Sequence, residues 1–206
     1  METDRKYYNP RLYAISDEWN LVDRKTQTVL RGVRIPKQLN EILQRDADAQ
    51  NRTVSALVVS ILTKYAEWDR YTQKFGFVTV PRANYKHMVE AMDAQTYLAA
   101  TDETPSTFLD MIRFWYKRVD PSTVCAFCER LSKYVGTTQC EIEQKDGEYT
   151  ITLHHDFGIK YSNHLKRDYE RVTREAVGIE PRIEVTNSSI YIKFSERLSK
   201  VTRLQS

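Results

Sequence analysis

Hydrophobic and polar positions alternate from Thr28 to Ile35, and the alternation stops at Pro36. This predicts a short strand, because successive side chains of a strand point to opposite faces. Proline suits the first position of a helix, where its missing N–H would have had no intrahelical partner. Behind it, Leu39, Ile42, Leu43 and Ala47 recur at helical spacing. Gln50-Asn51-Arg52 interrupts the pattern, and Thr53 or Asn51 is placed to cap a second helix. Its stripe, Val54, Leu57, Val58, Ile61, Leu62, Tyr65 and Trp68, is strongly amphipathic.

The pattern beyond residue 75 predicts an α+β region. Phe75 to Val80 reads as a strand stopped by Pro81, and a helix carries Tyr85, Met88, Val89 and Met92. Thr104-Pro105 and Asp120-Pro121 each place a capping residue before proline and start two further helices. The first of these shows Phe108, Met111, Ile112 and Trp115 on one face, the second Val124, Phe127, Cys128 and Leu131. Cys140 and Ile142, then Tyr149, Ile151 and Leu153, alternate around Asp146-Gly147, the signature of a hairpin. A helix over 159–177 shows Tyr161, Leu165, Tyr169, Val172 and Ala176 and ends at Gly178. A second hairpin pairs Ile183 and Val185 with Ile190, Ile192 and Phe194 across Asn187-Ser188. The chain from about residue 140 therefore reads as a β-β-α-β-β unit. The remainder, to Ser206, is polar and basic, and frays or adds a short helix.

The chain thus divides into three regions: an extension over 1–26, a strand-helix-helix module over 27–74 and an α+β domain over 75–206. The extension holds Tyr7, Tyr8, Tyr13 and Trp19 without periodicity. Its aromatics are expected to dock on the main body; an arm reaching DNA or a partner subunit is the alternative.

Composition sharpens this outline. Of the 206 residues, 29% are charged and 41% hydrophobic, as in soluble globular chains. Nothing resembles a membrane span or a signal sequence. Three cysteines do not make a disulfide framework, so a reducing cytoplasm is the expected compartment. The net charge of +3 is unevenly spread: +5 over residues 24–75, −2 over 1–23 and zero beyond. A local basic excess is compatible with a nucleic-acid partner.

The segments Gly32-Val33-Arg34-Ile35-Pro36-Lys37-Gln38-Leu39 and Asn51-Arg52-Thr53-Val54-Ser55-Ala56-Leu57-Val58 resemble the strand-to-helix entry and the second-helix start of the ribbon-helix-helix (CopG/Arc/MetJ-like) DNA-binding family. The resemblance covers about 45 residues. It implies an intertwined homodimer, or a dimer of dimers, whose paired strands enter the major groove of double-stranded DNA. Strand alternation then sends Leu30, Gly32 and Arg34 to the groove, with Arg34 suited to guanine. Arg31, Lys37 and Arg52 are the expected phosphate contacts, and Thr53 and Ser55 stand beside the N–H groups of the second helix, where a phosphate can bind. Val33, Ile35, Leu39, Leu43, Leu57 and Ile61 form the expected dimer core. Some residues depart from the family pattern. Gly32 offers no side chain to a base, Leu30 can reach only a thymine methyl, Arg31 falls on the core face, and Asp46 replaces an apolar residue.

Other chemistry is thinner. Cys125 and Cys128 have zinc-like spacing, with Cys140, His154 and His155 downstream as further ligands. Against this, Cys128 lies on the apolar stripe of a predicted helix, and His154 and His155 point to opposite faces of a strand. Core packing is the favoured reading for the cysteines, and a buried, hydrogen-bonded role for His155. No cofactor is implied, and no glycine-rich phosphate loop, H-E-x-x-H or G-x-S-x-G occurs, so an enzyme is not expected. The leading expectation is a dimeric transcriptional regulator whose C-terminal domain senses a small-molecule effector of unidentified chemistry or oligomerises. The alternatives are an antitoxin-type interaction protein that uses the module only to dimerise, and a metal-binding protein.

Overall fold

A computed structural model describes residues 28–72, 74–178 and 180–195. The extension over 1–26 and the tail beyond Ser195 lie outside the described residues. The chain divides into two compact units, one ending at Val78 and the other beginning at Thr79.

In the first unit, residues 28–36 carry no regular hydrogen-bonded structure. A strand is defined by its ladder, and among the described residues none pairs with this segment. Helix α1 spans Lys37–Ala49. Asn51 (φ 50°) closes it: Arg52 N–H donates to the Ala47 carbonyl at 3.0 Å and Asn51 N–H to that of Asp48 at 3.0 Å, a Schellman ending. Asn51 thus ends the first helix, and Thr53 caps the second, its Oγ1 accepting from Ala56 N–H at 3.2 Å. Helix α2 spans Val54–Lys64 and continues through a π-helical turn, Tyr65–Asp69, into α3, Arg70–Thr72. The sequence predicts an uninterrupted stripe here. Of that stripe Leu57 and Trp68 are buried, whereas Ile61 and Leu62 on α2 and Tyr65 in the π-turn are exposed.

Residues 75–80 are not the predicted strand. Phe75 N–H and Phe77 N–H bond back to the carbonyls of Tyr71 and Thr72, and the Phe77 ring meets Trp68 edge-on at 5.3 Å. The apolar alternation there serves a turn folded onto the preceding helix.

The second unit begins with α4, Arg82–Ala91, and α5, Ala94–Ala100. The predicted helix through Met92 ends one residue early. Met92 is extended, and Asp93 starts α5 by accepting from Thr96 N–H at 2.9 Å. Helices α6, Thr104–Tyr116, and α7, Pro121–Val135, come next. Asp120 makes a full capping box with Thr123. At α6, by contrast, Thr104 lies within the helix, and Glu103 precedes it without a side-chain cap.

The β-β-α-β-β order is present: β1 Gln139–Lys145, β2 Glu148–His154, α8 Ile159–Val177, β3 Arg182–Val185 and β4 Ser189–Ser195. They form one antiparallel sheet in the order β1-β2-β4-β3. Asp146 and Gly147, both at positive φ, make the tight β1–β2 turn, and Ile142 faces Ile151 across it. In the centre Tyr149, Ile151 and Leu153 of β2 pair with Phe194, Ile192 and Ile190 of β4, all six buried on one face. Helix α8 lies against β3 and β4, α7 against β1, and α6 packs on both helices. Met111, Ile112, Trp115, Val124, Phe127 and Val172 fill the space between them. The other sheet face carries Thr150, Thr152, Tyr191, Lys193, Arg182 and Glu184, as a one-sided antiparallel sheet requires.

Candidate functional site

The residues singled out for nucleic-acid contact sit on the surface of the first unit. Leu30 is fully exposed, and Arg31, Gly32 and Arg34 are exposed beside it. Among the described residues, none beyond its two chain neighbours comes within 4 Å of where a Cβ on Gly32 would stand. Lys37 is exposed at the start of α1, within 3.9 Å of Glu41 one turn on. Thr53 and Ser55 stand exposed at the first turn of α2, where backbone N–H groups lack intrahelical partners. Arg52 differs. It is half-buried, and its Nε has no hydrogen-bond partner among the described residues.

The expected dimer core is largely uncovered in the single chain. Leu57 is buried and Leu43 half-buried, but Val33, Ile35, Leu39 and Ile61 are exposed. Val29, Ile42, Val59, Leu62 and Tyr65 add to this apolar surface. The buried hydrophobic residues of the described part of this unit are Ala47, Leu57, Trp68 and Tyr71. That is a small core for two long helical segments.

The cysteine and histidine candidates lie in the second unit: Cys140 on β1 is near enough to Cys125 and Cys128 on α7 to act on both, while His154 and His155 bond apart from each other. Cys125 and Cys128 are buried on α7, and Cys128 Sγ reaches the Tyr169 hydroxyl at 3.3 Å. Burial pushes the thiols of Cys125 and Cys140 up to about 12 and that of Cys128 well above its ordinary value, so all three stay protonated at neutral pH. No group of three or more His, Cys, Asp or Glu side chains placed to hold a metal occurs among the described residues.

His155 is buried and fully partnered. Phe157 N–H donates to its Nδ1 at 3.3 Å, so the ring proton sits on Nε2 and is given to Ser162 Oγ at 2.9 Å. Ser162 in turn donates to the Thr186 carbonyl at 2.7 Å. The chain of bonds ties the end of β2 to α8 and to the β3–β4 turn. Burial lowers the His155 pKa and keeps the ring neutral. His154 faces the opposite side and bonds Ser189 Oγ at 2.8 Å.

A second buried polar network is not apparent from the sequence. Asp168 on α8 is fully buried, and Arg167 Nε and Nη2 hold its Oδ1 at 3.1 and 2.7 Å. His164 Nδ1 lies 3.2 Å from the other oxygen, Oδ2, which nevertheless has no aligned hydrogen bond. Arg167 also donates to the carbonyls of Leu98 and Thr101 at the end of α5. Above the network the hydroxyls of Tyr85 and Tyr97 meet at 3.1 Å. Burial raises the Asp168 carboxyl to about 7 and, with Arg167 nearby, lowers His164 to about 3. The i, i+4 spacing of His164 and Asp168 is visible in the sequence, but it is equally that of an exposed helix pair, so only the packing reveals the network.

No protein-family model matches the chain, and no curated protein is similar to it. No helix among the described residues is long and apolar enough to cross a membrane.

Proposed function

We propose that the chain is a dimeric, DNA-binding transcriptional regulator of the cytoplasm that lays a two-stranded β-ribbon, one strand from each subunit, in the major groove. The observation that carries this reading is the unfinished first unit: a segment, residues 28–36, without regular hydrogen-bonded structure, together with apolar side chains left exposed among the described residues. Pairing residues 28–35 with the same segment of a second copy satisfies one row of backbone groups and covers Val33, Ile35, Leu39 and Ile61. Full burial of one such side chain contributes roughly 1.5–3 kcal/mol. Val33 is 78% exposed and Ile35, Leu39 and Ile61 between 39 and 48%, so two copies supply roughly 6–12 kcal/mol, of the same order as the roughly 4–15 kcal/mol cost of association. In that ribbon Arg34 faces the groove and reads guanine, Leu30 touches a thymine methyl, and Arg31, Lys37 and the start of α2 hold phosphates. The second unit serves sensing or further assembly.

Selection of bound duplexes from a random pool, followed by sequencing, tests the reading; absence of an enriched sequence sinks specific recognition. Arg34→Ala should weaken binding to an enriched duplex by about 1–3 kcal/mol with the dimer intact, and raised salt should weaken the wild type steeply. Dimers that bind no duplex at low salt would point instead to a module kept for dimerisation, as in the antitoxin-type reading.

A further inference from the structure

We propose that α4, α5 and the turn at residues 101–103 form a strap that opens as a local unit from the rest of the second unit, and that cations of α8 hold it shut by gripping the C-terminal carbonyls of both strap helices. This inference is independent of the DNA reading.

The strap is poorly anchored by apolar burial. Helix α4 buries Val89 and α5 buries Tyr97, whereas α6 buries five side chains and α7 six. Segments with few buried apolar side chains open at lower free energy than the global core. Beside the ring contacts of Tyr85 with Phe157 and Tyr161 and of Tyr97 with His164, what holds the strap is a set of charge-assisted bonds, most of them of one kind. Lys160 Nζ donates to the carbonyls of Glu90 and Met92 at 2.7 and 2.6 Å, the end of α4. Arg167 donates to the carbonyls of Leu98 and Thr101, the end of α5, and Arg171 to that of Asp102 at 3.2 Å. Cations complement the negative end of a helix; the Leu98 and Thr101 carbonyls also accept from Thr101 and Thr104 N–H, and Arg167 adds a charge-assisted bond to each. At the other end Arg82 spans from the Gly136 carbonyl to Asp156, with Lys86 at 3.6 Å from the same carboxylate, both on the surface.

The closed strap also covers groups that prefer water. Asp168 is fully buried with Oδ2 unbonded, and His164 is nearly as buried beside it. A buried, incompletely bonded carboxyl carries a desolvation cost that opening relieves. The strap is therefore gripped by a few charge-assisted bonds over a destabilised floor. Opening would uncover a strip of α8 carrying Tyr161, His164 and Asp168. It would also free the helices that directly succeed residues 79–81, where the second unit begins.

Hydrogen exchange of the full chain, followed by mass spectrometry, tests the strap. In the wild type, peptides within 82–101 should exchange together, at least about tenfold faster than β2 and β4. Lys160→Met removes a grip outside the Asp168 network, and Arg171→Met one that makes no hydrogen bond to Asp168 but acts on it through charge. Each should speed exchange of 82–101 by roughly tenfold or more, the worth of a charge-assisted hydrogen bond, and leave β2 and β4 unchanged. Equal protection of 82–101 and the central strands in the wild type would overturn the proposal. So would either variant that speeds the strap and the sheet to the same extent, or neither variant changing the strap at all.

Discussion

Asp168 and His164 are 3.2 Å apart with almost no exposure, and burial pushes them in opposite directions. Asp168 titrates near 7 in the folded chain, above its ordinary 3.8, so its contribution favours the fold below about pH 4 and is lost as pH rises towards 7. His164 titrates near 3, below its ordinary 6.5, so its contribution favours the fold above about pH 6.5 and is lost as pH falls towards 3. Between pH 4 and 6.5 the two slopes oppose each other, and the wild-type pair should contribute almost no pH dependence. Removing one member exposes the slope of the other. Asp168→Asn should lose stability as pH falls from 6.5 to 4.5, and His164→Asn should lose it as pH rises over the same interval, each by on the order of 1–3 kcal/mol. Urea midpoints at several pH values measure both. Parallel curves for the wild type and His164→Asn would contradict the assignment. None of this is legible in the sequence, because His164 and Asp168 owe their behaviour to burial, to which the packing of Tyr97 from α5 against His164 contributes.

Elements are most legible where local chemistry suffices. Asp146-Gly147 needs no partner to specify a tight hairpin turn, since both residues tolerate the positive φ they adopt. Asp120 before Pro121 and Gly178 after Val177 likewise bound their helices through bonds made within a turn or two. The departures from expectation share another cause. Phe75 to Val80 alternates like a strand but finds Trp68 rather than a neighbouring strand, and the π-turn at Tyr65–Asp69 rotates a stripe that the pattern continues straight. Both outcomes depend on what the segment packs against. The candidate interface shares this limit: exposure of Leu30 and Arg34 is a property of one chain, and a ribbon exists only with a second. Local specification has a measurable counterpart. Gly147 sits at φ 77°, so Gly147→Ala should cost about 1–2 kcal/mol through backbone strain alone. Gly32, in open space and without a positive φ, should accept alanine with no loss of stability. Equal shifts in the two thermal midpoints would remove backbone conformation as the explanation.

At the scale of the whole molecule the two units differ in where their cores come from. The second unit closes its own: Trp115, Phe127, Ile151 and Ile192 are at most 1% exposed. The first unit keeps four described hydrophobic residues buried while Val33, Leu39, Ile42 and Leu62 face water. If a second copy completes it, folding of the first unit is coupled to association, and mass action makes its stability depend on protein concentration. The second unit has no such need. Thermal unfolding at about 1 and about 100 µM protein should then show two transitions. The lower one, that of the first unit, should move up with concentration and the upper one should stay in place. Val33→Glu would bury an unpaired charge on pairing; it should abolish the concentration dependence of the lower transition and leave the upper one unchanged. A concentration-dependent upper transition would move the association interface into the second unit. Two transitions that both ignore concentration would leave the exposed strip of the first unit without a second copy to cover it, and with it the ribbon on which the DNA reading depends.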